Sequence, residues 1–421
     1  MSGIAKYCLG LLVAVLGINM NPGAQPGQFD FFPSARAQES GNSVRPEVGK
    51  PLQAARELIR AQRAKEALAK IREAEGVADR TANENFLINQ MRFSAASAAG
   101  ETEVAAKSLE AIMASGRVPA GEQARLVEAM TGGYIRAREY SKAIQWASRF
   151  LRDNGGNAQI RQLLAQAYYL NNDFARAAAE LQAMVNADSQ AGRTPSETNL
   201  QLLASCYDKL RDNAGYTAVF ERLVANYPKK EYWASVLSRV QRKPGYASRL
   251  DIDYFRLKLA TGNLRTAADY MEMVQLALQA GSALEAKKIV DQAFAAGVLG
   301  TGAEADRHKR LRDLAAKSAA ESQAVLAAAG NADGKDGLGL LNLGFDYVSA
   351  GRYDKGLQVM EQGMRRGGLK YPEDAKLHLG VAYFMGGQKA RAIEVFRGVH
   401  GRDGAADLAR LWAMHATRAA N

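Results

Sequence analysis

Residue types able to do chemistry are few in this chain, and they are scattered. The four histidines, His308, His378, His400 and His415, form no H-E-x-x-H pair and no Cys/His spacing of the kind that holds zinc. No metal site is expected from them. Cys206 sits in "LLASCYDKL" among apolar residues without a neighbouring histidine, so it reads as a buried, inert thiol and not as a nucleophile. "GNADGKDG" at 330–337 lacks both the glycine spacing of a phosphate loop and the Ser or Thr after its lysine, and no G-x-S-x-G elbow occurs. The densest charge run is "RHKRLR" at 307–312. It could contact an anionic surface, but with no aromatic residues beside it for base stacking it reads as a solvated helix face, and nucleic acid is not an expected partner. The chain is therefore expected to be no enzyme and to carry no cofactor.

Function must then reside in surfaces, and surfaces depend on the elements that carry them. At 421 residues the chain exceeds one compact core, so it forms several domains or one elongated array. Aromatic residues make up only 8% while alanine is frequent, a balance suited to closely packed helices. The start of the chain reads as an export signal at 1–37: Lys6 precedes a short apolar run at 8–18, and "ARAQ" places cleavage after Ala37, with Gln38 first in the mature protein. That run falls short of the roughly 20 residues that cross a bilayer. The expected location is thus the periplasm or exterior of a Gram-negative cell, with an uncleaved membrane anchor as the alternative. Cys206 alone remains after cleavage, so no internal disulfide can form and packing must supply the stability. A formal net charge of +11 favours anionic partners without naming one.

A repeated frame organises the rest. Tyr134, Tyr168, Tyr207, Tyr347 and Tyr383 are each followed nine residues later by Ala143, Ala177, Tyr216, Gly356 and Ala392. Successive tyrosines lie 34 residues apart (Tyr134 to Tyr168), 39 (Tyr168 to Tyr207) and 36 (Tyr347 to Tyr383), a period that means stacked helical hairpins. Small residues on the first helix (Ala165, Ala204, Gly344, Gly380) should face small residues on the second (Ala143, Ala177, Gly356, Ala392) and let the backbones approach. Asn172, Gly351 and Gly387 supply turn positions tolerant of positive φ. Tyr168, Asn171 and Asn172 are accordingly read as scaffold.

"LGFDY" at 343–347 and "LGVAY" at 379–383 resemble the L-G-x-x-Y core of the tetratricopeptide repeat, and Ala392 with Phe396 resembles its A-x-x-x-F. Pro228 stands where that repeat closes. The resemblance implies an all-α, α-α superhelix with an irregular middle segment and a C-terminal capping helix. Its expected parts are a flexible tether at 38–50, a first solenoid of five hairpins at 51–230, degenerate repeats at 231–335, and a closing repeat pair with a cap at 336–421. An enlarged loop is expected at 188–197, and longer or skewed helices around Pro244 and Gly245. The last helix should carry Leu408, Leu411, Trp412 and His415 on one face.

The same resemblance implies a concave groove lined by first helices, which in the middle repeats gives Arg125, Glu128, Ser205 and the candidate partner-binding set Arg136, Gln162, Gln166, Tyr169, Asp208 and Lys209. Gln162, Gln166 and Ser205 replace the Lys and Asn pairs with which one variant of the family clamps a terminal carboxylate, so that mode is not expected here. The closing pair has an apolar lining instead, Leu341, Phe345, Val348, Val381, Phe384 and Met385, which is either exposed or covered by the chain's own helices. "YPKKEYW" before an irregular helical stretch resembles tetratricopeptide proteins that accompany TonB, ExbB and ExbD systems. The expected function is a non-enzymatic protein-interaction scaffold of the cell envelope. Its alternatives are an accessory factor for an envelope enzyme or cell-wall assembly, and an inner-membrane-tethered scaffold of a TonB-type system.

Overall fold

The computed structural model describes residues 43–328 and 335–420. The expected export signal and the first residues of the tether lie outside the described residues, as does most of the "NADGKDG" loop. Among the described residues there are twenty α-helices and no strand, so the chain is all-α as expected. No described helix is long and apolar enough to cross a membrane. The chain divides into two compact units, the first ending at Tyr216 and the second beginning at Thr217, so the expected boundaries at 230 and 335 are not those of the compact units.

Five hairpins make up the first repeat array. They are α1 (Pro46–Arg60) with α2 (Ala64–Glu75), α3 (Ala82–Ala99) with α4 (Thr102–Ala114), α5 (Ala120–Arg136) with α6 (Tyr140–Asn154), α7 (Ala158–Leu170) with α8 (Phe174–Gln190), and α9 (Glu197–Lys209) with α10 (Asn213–Asn226), whose second half opens the next unit. The first helix, α1, starts four residues before the expected end of the tether at 50, because Pro46 at its first turn is preset for helical φ and Val48 is fully buried. The expected loop at 188–197 is also shorter: α8 runs on to Gln190, and Gly192 at φ 66° turns the chain. One lock ties the start of the array together. Glu84 caps α3 in a box with Thr81, and Arg45 donates through Nε and Nη2 to its two oxygens, each at 2.9 Å. These donors hold its carboxyl down at about 2.

The second unit continues with α11 (Lys230–Gln241), a short 3-10 turn at Ser248–Leu250, and α12 (Asp251–Ala260). These helices are short, not elongated as expected, because Pro244 and Gly245 break the chain between them and Gly245 sits at φ 83°. Then come α13 (Ala267–Gln279), α14 (Ala283–Ala295), the long α15 (Ala305–Ala328), α16 (Gly337–Ser349), α17 (Tyr353–Arg366), α18 (Pro372–Met385), α19 (Lys389–Arg397) and α20 (Ala405–Ala420). On α20, Leu408, Leu411 and Trp412 are buried, and Trp412 stacks on Phe396 of the last repeat at 5.9 Å and 16°. The final helix caps the array as expected.

Each repeat frame turns in one way. In all five, the tyrosine carbonyl accepts a hydrogen bond from the amide five residues on, as in Asp173 N to Tyr168 O at 2.9 Å and Arg352 N to Tyr347 O at 2.8 Å. The residue before that amide adopts positive φ: Asn172, Gly351 and Gly387 as expected, but also Arg138 at 63° and Arg211 at 57°. The small-residue contacts are tightest between α16 and α17. A Cβ on Gly344 would lie 2.7 Å from the Gly356 carbonyl, and one on Gly363 2.7 Å from the Gly337 carbonyl, so the backbones touch at two levels seven residues apart. At Gly380 the expected partner Ala392 gives way to the Phe396 ring, whose Cδ1 would lie 2.6 Å from an added Cβ.

Phe396 is only 2% exposed and pinned by Trp412, so it has nowhere to go. Gly380→Leu is therefore expected to cost about 1 to 3 kcal/mol or more by overpacking, while Gln166→Ala should change stability by less than about 0.5 kcal/mol. Thermal melts of the two variants that show equal losses would contradict this register.

Candidate partner-binding groove and buried charge network

In the first unit the sequence-derived groove residues fall on the ends and faces of three first helices. Arg136 ends α5 and is exposed, Asp208 and Lys209 end α9 and are exposed, and Gln162 on α7 is exposed. Along α7 the i, i+4, i+7 stripe runs inward, from exposed Gln162 through half-buried Gln166 to Tyr169. Tyr169 is 6% exposed and does not offer its ring to the groove. Its hydroxyl pairs with Ser205 Oγ at 2.8 Å and its ring meets Phe174 edge-on at 5.4 Å, so it fastens α7 to α9. Tyr169 is thus a packing residue, because the stripe tilts into the contact between neighbouring hairpins. Ser205 goes with it. What remains exposed is a polar set, Arg136 at the end of α5, Gln162 near the start of α7 and Asp208 and Lys209 at the end of α9, with Gln166 half-buried.

Cys206, beside Ser205, is fully buried, and burial pushes its thiol up to about 12. That thiol is inert at neutral pH. The basic run at 307–312 is likewise a helix face: Arg307, Lys309 and Arg312 are exposed, while His308 turns inward and its Nδ1 accepts from Gly300 N at 3.1 Å.

In the second unit the apolar lining of the closing repeats is covered by the chain itself. Leu341, Phe345, Val348 and Val381 are buried, and Phe384 and Met385 half-buried. Over Phe345 lies the Arg256 guanidinium, 4.2 Å from the ring centroid. Arg256 belongs to α12, where the six residues from Ile252 to Leu257 are all buried. Its Nε and Nη2 reach Glu285 of α14 at 2.9 and 2.7 Å, and its Nη1 reaches Asp253 at 3.0 Å. The other Asp253 oxygen meets His378 Nε2 of α18 at 2.9 Å. Burial opposes charge on both Asp253 and Arg256. It is outweighed on Asp253 by His378 and Arg256, which hold the acid below its usual range, and on Arg256 by Glu285 and Asp253, which raise it further. Three helices meet at this one guanidinium, and Asp253 links it to a fourth, α18.

Asp346 on α16 is the exception in the network. Its Oδ1 is buried with no hydrogen-bond partner, and burial followed by the Glu285 charge pushes its carboxyl up to about 7. Of the charged residues here only His378 was singled out from the sequence, although "DIDYFRLKL" holds the signal: Asp253 and Arg256 are charges three apart in an apolar helical run. Among the described residues no group of three or more His, Cys, Asp or Glu side chains could hold a metal ion.

A raised carboxyl pKa destabilises the fold where the group must ionise. Asp346 stays protonated when folded between its unfolded value of about 3.9 and about 7, so its contribution is full below the lower value and is lost as pH rises through the upper one. Asp346→Asn is expected to raise the melting temperature at pH 8 relative to the parent and to leave it little changed at pH 4. Melts at both values check this, and an equal shift at the two would remove Asp346 as the titrating group.

Two segments of the chain match the tetratricopeptide repeat family model, residues 199–230 and 374–402. They correspond to the hairpins α9–α10 and α18–α19. No curated protein matches the sequence. Among solved structures, a chain of Naa15/Naa10 bound to HypK-THB is similar over 85% of this chain, at 14% identity and a TM-score of 0.31. This chain spans 59% of that relative's length. Two tetratricopeptide repeats within an all-helical chain are what these comparisons establish.

Proposed function

We propose that the chain is a non-catalytic protein-interaction scaffold whose first array binds a segment of a partner protein along the polar row of Arg136, Gln162, Gln166, Asp208 and Lys209. The observation that carries this reading is the exposure of Arg136, Gln162, Asp208 and Lys209 on three successive first helices, while the apolar lining of the closing repeats is buried by the chain itself, with Arg256 over Phe345. Amide and charged side chains in such a row can bond an extended backbone, and a mixed row of both signs suits a segment that is itself polar. Tyr232 and Trp233, the aromatic residues of "YPKKEYW", are 5% and 3% exposed, so packing accounts for them and that element supports no particular envelope partner.

The combined variant Gln162→Ala, Gln166→Ala, Asp208→Ala and Lys209→Ala should keep the helical spectrum and melting point of the parent. It is expected to bind the partner recovered by the parent chain in pull-downs at least about tenfold more weakly, since interface energy concentrates in a few contacts. Parental affinity in that variant would remove the row as the site.

The reading also places the protein outside the inner membrane, on the strength of Lys6, the short apolar run and "ARAQ". Expressed in a Gram-negative host, the chain should be recovered from the envelope fraction with Gln38 at its N-terminus. Recovery with Met1 retained would favour a tethered scaffold and leave the fold as it is.

A further inference from the structure

A pocket of about 230 Å³ opens in the second unit, lined by Pro228, Trp233 of α11, Ala260 and Thr261 at the end of α12, and His415 and Arg418 of α20. We propose that it binds an aromatic carboxylate, with the ring among Pro228, Trp233, Ala260 and His415 and the carboxylate on the Arg418 guanidinium.

The volume suits one aromatic group and is below that of pockets which enclose larger ligands. Its wall is rigid: Trp233 is 3% exposed and meets the His415 ring edge-on at 5.8 Å and 82°. Burial, and then the Arg418 charge, lowers the His415 pKa, so that side of the pocket stays uncharged at neutral pH. Thr261 adds no recognition, because its hydroxyl is already donated towards Leu257 O at 2.8 Å and Lys258 O at 3.3 Å. The polar recognition falls to Arg418. It is exposed on the last turn of α20, and its Nη1 donates to Val224 O at 3.3 Å, which orients the guanidinium and leaves other N–H donors for an anion. A cationic ligand would meet that charge unpaired.

Isothermal titration of the full chain tests this with three probes: benzoate, N-acetyl-L-phenylalaninate and N-acetyl-L-phenylalanine amide. At least one carboxylate is expected to bind with Kd on the order of 1 mM or tighter, and the amide about tenfold more weakly, as a single charge-assisted contact implies. Tighter binding of benzoate would mark a free aromatic acid as the source, and tighter binding of the acetylated residue an amino-acid or peptide ligand. Arg418→Gln should weaken the carboxylate about tenfold, and Ala260→Leu, which fills the pocket from an exposed helical position, should abolish it, both with the parental melting point. Absence of binding by either carboxylate up to about 20 mM, well above that range, would overturn the proposal. So would unchanged affinity in Ala260→Leu.

Discussion

One buried guanidinium sets the conditions for the second unit. Taking Arg256 out of water is costly, and the cost is met only because the Glu285 carboxylate accepts from two of its nitrogens and Asp253 from the third. Loss of one partner from such a buried set typically destabilises by about 3 to 5 kcal/mol, because the remaining charge is left unpaired. The geometry is therefore not free. α12 must lie where Arg256 reaches α14, where Asp253 reaches His378 on α18, and where the guanidinium covers Phe345 on α16.

That constraint decides which repeat surface is available to others. In the closing repeats the first helices carry apolar residues that the chain itself buries, with Arg256 of α12 over Phe345 and Trp412 of α20 against Phe384. A peptide could enter there only by displacing six buried residues and an ion network. In the first array no comparable requirement applies, because the matching positions are polar and stable in water. Its interior includes the small residues Ala143, Ala165 and Ala177, all fully buried.

The turns show how strongly packing dictates the backbone. Arg138 and Arg211 hold positive φ, a conformation that costs a non-glycine residue on the order of 1 kcal/mol or more. They are held there because the amide that follows must reach the tyrosine carbonyl, Glu139 N to Tyr134 O at 2.8 Å and Asp212 N to Tyr207 O at 2.9 Å. Asn172, Gly351 and Gly387 reach the same geometry with less strain. The hairpin contact wins over local preference in both kinds of turn.

The repeat frame was legible because it is local. Tyrosine followed by a small residue nine positions on, with Asn or Gly between, reports the packing of two helices joined by one short turn, and the structure has hairpins at those places. At Tyr169 local spacing misled, because the stripe along α7 tilts into its neighbour and the ring packs there, 6% exposed. The Arg256 network was not legible, since its members lie up to 125 residues apart and ordinary charged residues give no sign of which will share an interior. Nor was the pocket around Trp233 and His415, which needs the ends of α11, α12 and α20 at once. Sequence by itself determined the helical hairpins, because short-range periodicity and turn chemistry suffice for them. Tertiary structure alone decided that the apolar lining of the closing repeats is buried beside the Arg256 network, because burying a charge depends on partners from elements far apart in the chain.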